Sequence, residues 1–257
     1  MQDTALRHIK TRFVRLSGDV MSFAYNSGLD GEEPTFAPWE VRGRSSLSIN
    51  LREACDREPL LALPTERTEV MIGTSVVAVP LDNFDEEQCE PLWRYVVPRR
   101  GSERIFYDTL PQADCVLLYG ASEEVCRAFE DCFGEVHFTA CLTHVLRNYM
   151  KYHISPAQSG CHGLIFLHEN VADVAIFDGH SLTAVNTFVV NQPGDVAYYA
   201  LNLSQSVGLK PMTDKLHLCG DDVAVRETLR TLRQFCPNVE VLENKGAMPY
   251  DMQCAVR

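Results

Sequence analysis

The side chains with the most chemical potential in this sequence are its histidines, cysteines and turn carboxylates. His137, Cys141 and His144 carry the donors that tetrahedral zinc accepts, and Cys141 and His144, three apart, share one face of a helix. A fourth ligand is missing and no Cys-x-x-Cys pair exists, so ordinary partly buried side chains are the competing reading. Cys161 and His162 place a nucleophile beside a base, but neighbours on a strand face opposite ways and cannot act on each other. Two turns join glycine to carboxylate: Arg-Leu-Ser-Gly-Asp at 15–19, with Gly18 and Asp19, and Leu-His-Leu-Cys-Gly-Asp-Asp at 216–222, with Gly220. The second also reads as a strand-to-helix turn with Asp221 or Asp222 as the helix cap. No Gly-x-Ser-x-Gly elbow, Walker A loop or Gly-x-Gly-x-x-Gly turn appears.

Periodicity supplies the elements that must position these residues. Residues 164–168, 173–178 and 182–189 alternate as three strands, with Asp178-Gly179-His180 as the second tight turn. A helix opened by Asp195 follows, with Val196, Tyr199, Leu203 and Val207 on one face. Then come a strand at 215–219, a helix carrying Val225, Leu229, Leu232 and Phe235, and a strand at 239–242. The first half opens alike: strands at 13–16 and 20–25 flank Ser17-Gly18-Asp19, and 35–41 supplies a third. Ser46 caps a helix, 69–72 and 75–80 are β-rich runs around Gly73-Thr74, and Asp85 starts a helix carrying Cys89, Leu92, Trp93 and Val96. Strands at 104–110 and 115–119, a helix capped by Ser122, a strand at 136–138 and a helix capped by Thr139 complete it. Pro156 and Gly160 mark 155–160 as a linker. The order predicts an α/β protein of mixed sheets in two similar lobes, 1–154 and 155–257.

Composition narrows the function classes. The 257 residues are 46% apolar and 23% charged, as in an ordinary folded protein. A net charge of −12 repels phosphate backbones and anionic lipid, which argues against a nucleic-acid partner. Arg7, Lys10, Arg12 and Arg15 read as a solvated basic arm. Without a long apolar run or a signal-peptide core, no membrane insertion and a cytoplasmic location are expected. The ten cysteines fall within apolar periodic segments, as buried free thiols do in a reducing compartment. Tyr198 and the apolar stretch 247–252 offer a docking surface, or else fold back onto the second lobe.

The run 163–179, Gly-Leu-Ile-Phe-Leu-His-Glu-Asn-Val-Ala-Asp-Val-Ala-Ile-Phe-Asp-Gly, resembles the second phosphate loop of the actin-like ATPase superfamily, particularly its type IV pilus assembly and type II secretion members. Residues 76–81 with Phe84 and Asp85, and the ending Pro-Tyr-Asp-Met-Gln at 249–253, resemble a Bacteroidetes domain-of-unknown-function family with an actin-like fold. The resemblance implies two ribonuclease-H-like lobes with ATP and Mg²⁺ between them. It also puts Phe166 where the metal-binding acid belongs and His168 where the turn glycine belongs. The expectation is therefore an actin-like-fold protein without ATPase activity, acting as a scaffold or binding module with a protein partner or as a homodimer. The alternative is a divergent nucleotide-binding protein using Gly18, Asp19, Asp173 and Gly220.

Overall fold

Hairpins open both halves of the chain. The computed structural model describes residues 10–29, 31–43, 45–98, 101–155 and 157–257; Arg7 of the expected arm and Pro156 of the expected linker lie outside them. In the first half, β1 (Thr11–Ser17) and β2 (Val20–Asn26) pair antiparallel around Gly18, whose φ of 56° suits the tight turn. β3 (Thr35–Glu40) joins β2, and α1 (Leu47–Arg57) crosses to β4 (Arg67–Gly73), which lies parallel to β1. β5 (Val76–Pro80), α2 (Cys89–Val96), β6 (Glu103–Leu110) and β7 (Cys115–Ser122) intervene. α3 (Glu123–Phe133) then leads to β8 (His137–Ala140), and α4 (Cys141–Tyr152) leaves the sheet.

The second half repeats the plan without the insertion. β9 (Cys161–His168), β10 (Val171–Asp178) and β11 (Ser181–Val189) form the antiparallel part, and α5 (Pro193–Ser206) crosses to β12 (Lys215–Gly220), parallel to β9. α6 (Asp222–Leu232), β13 (Val239–Val241) and α7 (Tyr250–Val256) follow. The sheet orders β3-β2-β1-β4-β8 and β11-β10-β9-β12-β13 are the same pattern twice. The runs around Gly73-Thr74 part company: β4 stays in the first sheet, while β5 enters a separate sheet ordered β5-β7-β6.

Local chemistry sets the helix ends. Ser46 and Ser122 accept from the backbone N–H of Ile49 and Val125, and Asp221, rather than Asp222, caps α6. Thr139 belongs to β8 and caps nothing. The first turn of α4 is served from β6, where buried Asp108 accepts from the Ala140 N–H at 3.0 Å and the Thr143 hydroxyl at 2.5 Å.

α1 and α3 cover one face of the first sheet, burying Val14, Phe23, Leu51, Val70 and Phe129. α5 and α6 cover the outer face of the second through Val174, Val196, Leu218 and Leu232. The terminal helices of the two halves pack on each other and cross over. The stripe of α4, including Leu146 and Tyr149, joins a core with Leu164, Phe166 and Phe177 of the second sheet. In return, Met252 and Val256 of α7 pack with Phe13, Ala24 and Met71 of the first, each burial worth roughly 1.5–3 kcal/mol. Met248, Tyr250 and Met252 are thus buried, largely against the half opposite to the expected one, while Tyr198 is 63% exposed. Among the described residues, no helix is long and apolar enough to cross a membrane.

Candidate functional site

The first turns of the two hairpin units face each other across the junction between the sheets. Residues 13, 15 and 17 of β1 share a face by strand alternation, which aims Arg15 and Ser17 inward together with Phe13. Gly73, opposite Ser17 on β4, keeps that approach open, because a Cβ there would lie 2.2 Å from Ser17 Oγ. From the other half, β9 ends at His168, and Glu169 turns the chain with a φ of 47°, left-handed backbone that a non-glycine residue adopts only when its surroundings hold it.

Glu169 is held by a dense set of donors. The Arg15 guanidinium grips it with two parallel bonds, 2.9 Å to Oε1 and 3.2 Å to Oε2. Ser17 Oγ donates to Oε2 at 2.6 Å, and His168 Nδ1 lies 2.7 Å from the same oxygen. Arg15 Nε donates to Asp251 of α7 at 2.6 Å, and burial beside that carboxylate raises the Cys141 thiol. His168 Nε2 lies 3.0 Å from Asp173 Oδ2, and Thr187 Oγ1 donates to Asp173 Oδ1 at 2.6 Å. Arg15 is 1% exposed and Asp251 0%. The basic-arm expectation therefore fails at Arg15: it is the centre of a buried ion-pair network.

The charges follow from the contacts. Burial works against the charge of Arg15, but Asp251 and Glu169 more than offset it and its pKa rises. Burial also opposes the charge of Glu169, yet His168, Arg15 and Ser17 hold its carboxyl down at about 2. His168, desolvated but flanked by Asp173 and Glu169, is raised to about 9. With a carboxylate at each ring nitrogen, His168 donates from both and is an imidazolium at neutral pH.

A cleft of about 570 Å³ lies on one side of this network, lined by Ser17, Gly18, Asp19, Thr74, His168, Glu169 and Thr187 among others. A hollow of about 160 Å³ shares His168 and Glu169 as a wall, and Arg15, Gly220, Tyr250 and Asp251 line it as well. The four candidate residues fall unequally on this frame. Gly18 and Asp19 are exposed at the cleft. Asp173 is 2% exposed with both oxygens engaged. Gly220, at φ 120°, borders the smaller hollow and packs so tightly on Leu167 that a Cβ would lie 1.8 Å from that carbonyl oxygen. Phe166 is buried, its ring stacked 4.6 Å from that of His168.

The possible metal ligands diverge. His144 Nε2 pairs with Glu69 at 3.0 Å, Cys141 turns to Asp251, and His137 is exposed at the start of β8. Among the described residues, no group of three or more His, Cys, Asp or Glu side chains is placed to hold a metal ion.

A second polar cluster joins the halves through α4. The Tyr149 hydroxyl lies 2.9 Å from His162 Nδ1 and 2.8 Å from His217 Nδ1. His162 Nε2 must donate to the Gly179 carbonyl at 2.9 Å, so Tyr149 donates to its Nδ1 and accepts from His217. Burial lowers both histidines, His217 to about 4, so this cluster is neutral.

Sequence reasoning missed Arg15, Ser17, Thr187, Glu169 and Asp251. The available signal was alternation, which puts Arg15 in register with Phe13 on an inward face. Nothing local announced Asp251, because its partner is 236 positions away.

The comparisons bear on fold and family. No curated protein matches the chain. A crystal structure from Bacteroides thetaiotaomicron, of a protein with an actin-like ATPase fold and unknown function, is 23% identical, covers 100% of this chain and 98% of its own, and superposes with a TM-score of 0.84. A chain of the PilM-PilN type IV pilus biogenesis complex is 11% identical over 92% of this chain and 89% of that one, with a TM-score of 0.61. The family described as protein of unknown function DUF3822 matches residues 15–239. The chain, with its duplicated sheets and actin-like ATPase fold, belongs to the DUF3822 family.

Proposed function

We propose that this protein keeps an actin-like fold without turning over ATP and works in the cytoplasm as a scaffold or binding module for a protein partner or a second copy of itself. The observation that carries the reading is the Arg15-Glu169-Asp251 network, which fills the facing hairpin turns with the protein's own charges. A triphosphate brought there meets Glu169, while Arg15 and His168 are already neutralised by three carboxylates. Mg²⁺ suits the site no better, since Asp173 has no free oxygen and Phe166 offers none. Gly220 spends its conformational freedom on contact with Leu167. The PilM-PilN neighbour, a complex of two proteins by its description, supports a role in which such a fold works by binding another protein.

The 570 Å³ cleft beside Gly18 and Asp19 favours the second reading, a nucleotide held in an unfamiliar pose. Thermal denaturation with millimolar ATP and Mg²⁺ separates the two, because only a ligand of the native state raises Tm. The first reading expects an unchanged midpoint. A saturable rise of several degrees would favour the second.

A further inference from the structure

We propose that Cys55 and Cys132 form a reversible modification site, a dithiol that a low-molecular-weight disulfide oxidises to a bridge between α1 and α3. Their sulfurs are 3.4 Å apart. Closing that gap to a bonded distance of about 2 Å takes a combined shift of roughly 1.4 Å, shared between χ1 rotations of the two side chains. Neither thiol is fully buried, and both line a surface hollow of about 300 Å³ together with Ser48, Arg52 and Asp131. By contrast Cys89, Cys115, Cys126, Cys141, Cys219 and Cys236 are buried.

A second observation points the same way. Arg12 has a buried Nε with no hydrogen-bond partner, its guanidinium lies 5.2 Å from the centre of the Phe133 ring next to Cys132, and Arg12 and Cys55 influence each other's charge. A cation beside a thiol favours the thiolate, so Arg12 acts against the burial that raises Cys55. Burial and the adjoining sulfur still push Cys55 up to about 12.

The steps balance without a metal or cofactor. One sulfur of the pair, as a thiolate whose proton has gone to solvent, attacks one sulfur of RSSR, and the expelled thiolate takes up a proton. The other sulfur of the pair then attacks the first, the mixed disulfide breaks, and the second RSH leaves with the attacking thiol's proton. The protein thiols lose two electrons and two protons, and RSSR gains both.

The test exposes the full chain to oxidised glutathione, alkylates it after denaturation and maps the peptides. The expected product has eight of its ten thiols free, a Cys55–Cys132 bridge and no retained glutathione. Dithiothreitol should restore all ten, and the bridged form should melt about 5–10 °C higher, because the bridge joins residues 77 positions apart. Cys55→Ser should trap one glutathione on Cys132, and Cys132→Ser should form no bridge. Ten free thiols, a bridge elsewhere, or a persistent glutathione adduct on the unsubstituted protein would overturn the assignment; each is read on the wild-type chain even if a variant folds poorly.

Discussion

The two crossing helices solve one packing problem with opposite electrostatics. α7 reaches the first sheet and places Asp251 against Arg15 of β1, with Glu169 and His168 completing a charged network. α4 reaches the second sheet and places Tyr149 between His162 and His217, neutral groups on β9 and β12, the counterparts of β1 and β4. The duplicated architecture therefore dictates that a helix crosses at each place, not what chemistry it carries. The charged junction lies at the facing turns beside the 570 Å³ cleft; the neutral one is buried between α4 and the second sheet.

The comparison breaks most sharply at Arg15. Arg15→Met leaves buried Asp251 without its cation and Glu169 with His168 alone, and urea unfolding should show a loss of about 3–5 kcal/mol. A loss under about 1 kcal/mol would mean that the network holds nothing together. Gly220→Ala, with its Cβ driven into Leu167, should cost about 3 kcal/mol, whereas Gly18→Ala, open to solvent at its turn, should cost about 1 kcal/mol. Equal losses at the two glycines would contradict the packed and open assignments.

Titration distinguishes the junctions by sign. His168 is held near 9 against an ordinary 6.5, so the folded state keeps a proton that the unfolded chain releases. Its contribution is complete below about pH 6.5 and is lost as pH rises through 9. His217 sits near 4, so the unfolded chain takes the proton first and stability falls as pH drops from 6.5 toward 4. Glu169, near 2 against an ordinary 4.5, contributes above 4.5 and loses that contribution as pH falls toward 2. Stability should peak near pH 6–7, with on the order of 2 kcal/mol lost on each limb. Unfolding free energies measured from pH 4 to 9 check this, and His168→Gln should flatten the alkaline limb; an unchanged limb would remove the imidazolium from the account. Tyr149→Phe should cost about 1–2 kcal/mol from the lost hydroxyl, and a cost matching that of Arg15→Met would erase the contrast.

Most of the fold was legible because its signals are local. Gly18 and Gly179 mark hairpin turns, Ser46 and Ser122 cap their helices, and the stripe of α4 is core, all within a few residues of sequence. The resemblance to the actin-like superfamily set Phe166 and His168 at positions expected to hold an acid and a glycine, which drew attention to the second turn. The site itself was hidden because long-range pairing builds it. Arg15 resembled one more cation of a basic stretch until Asp251 and Glu169 arrived from the other end of the chain. Asp108 capping α4 from another sheet, and β4 parting from β5, were invisible for the same reason.

The central claim is that the protein's own side chains close the position where this fold would grip a triphosphate. A crystal grown with a non-hydrolysable ATP analogue and Mg²⁺ tests it most directly. The account predicts Arg15 and Ser17 still bonded to Glu169 and no nucleotide between the turns. Well-defined analogue between the lobes, with Glu169 displaced from Arg15, would contradict it.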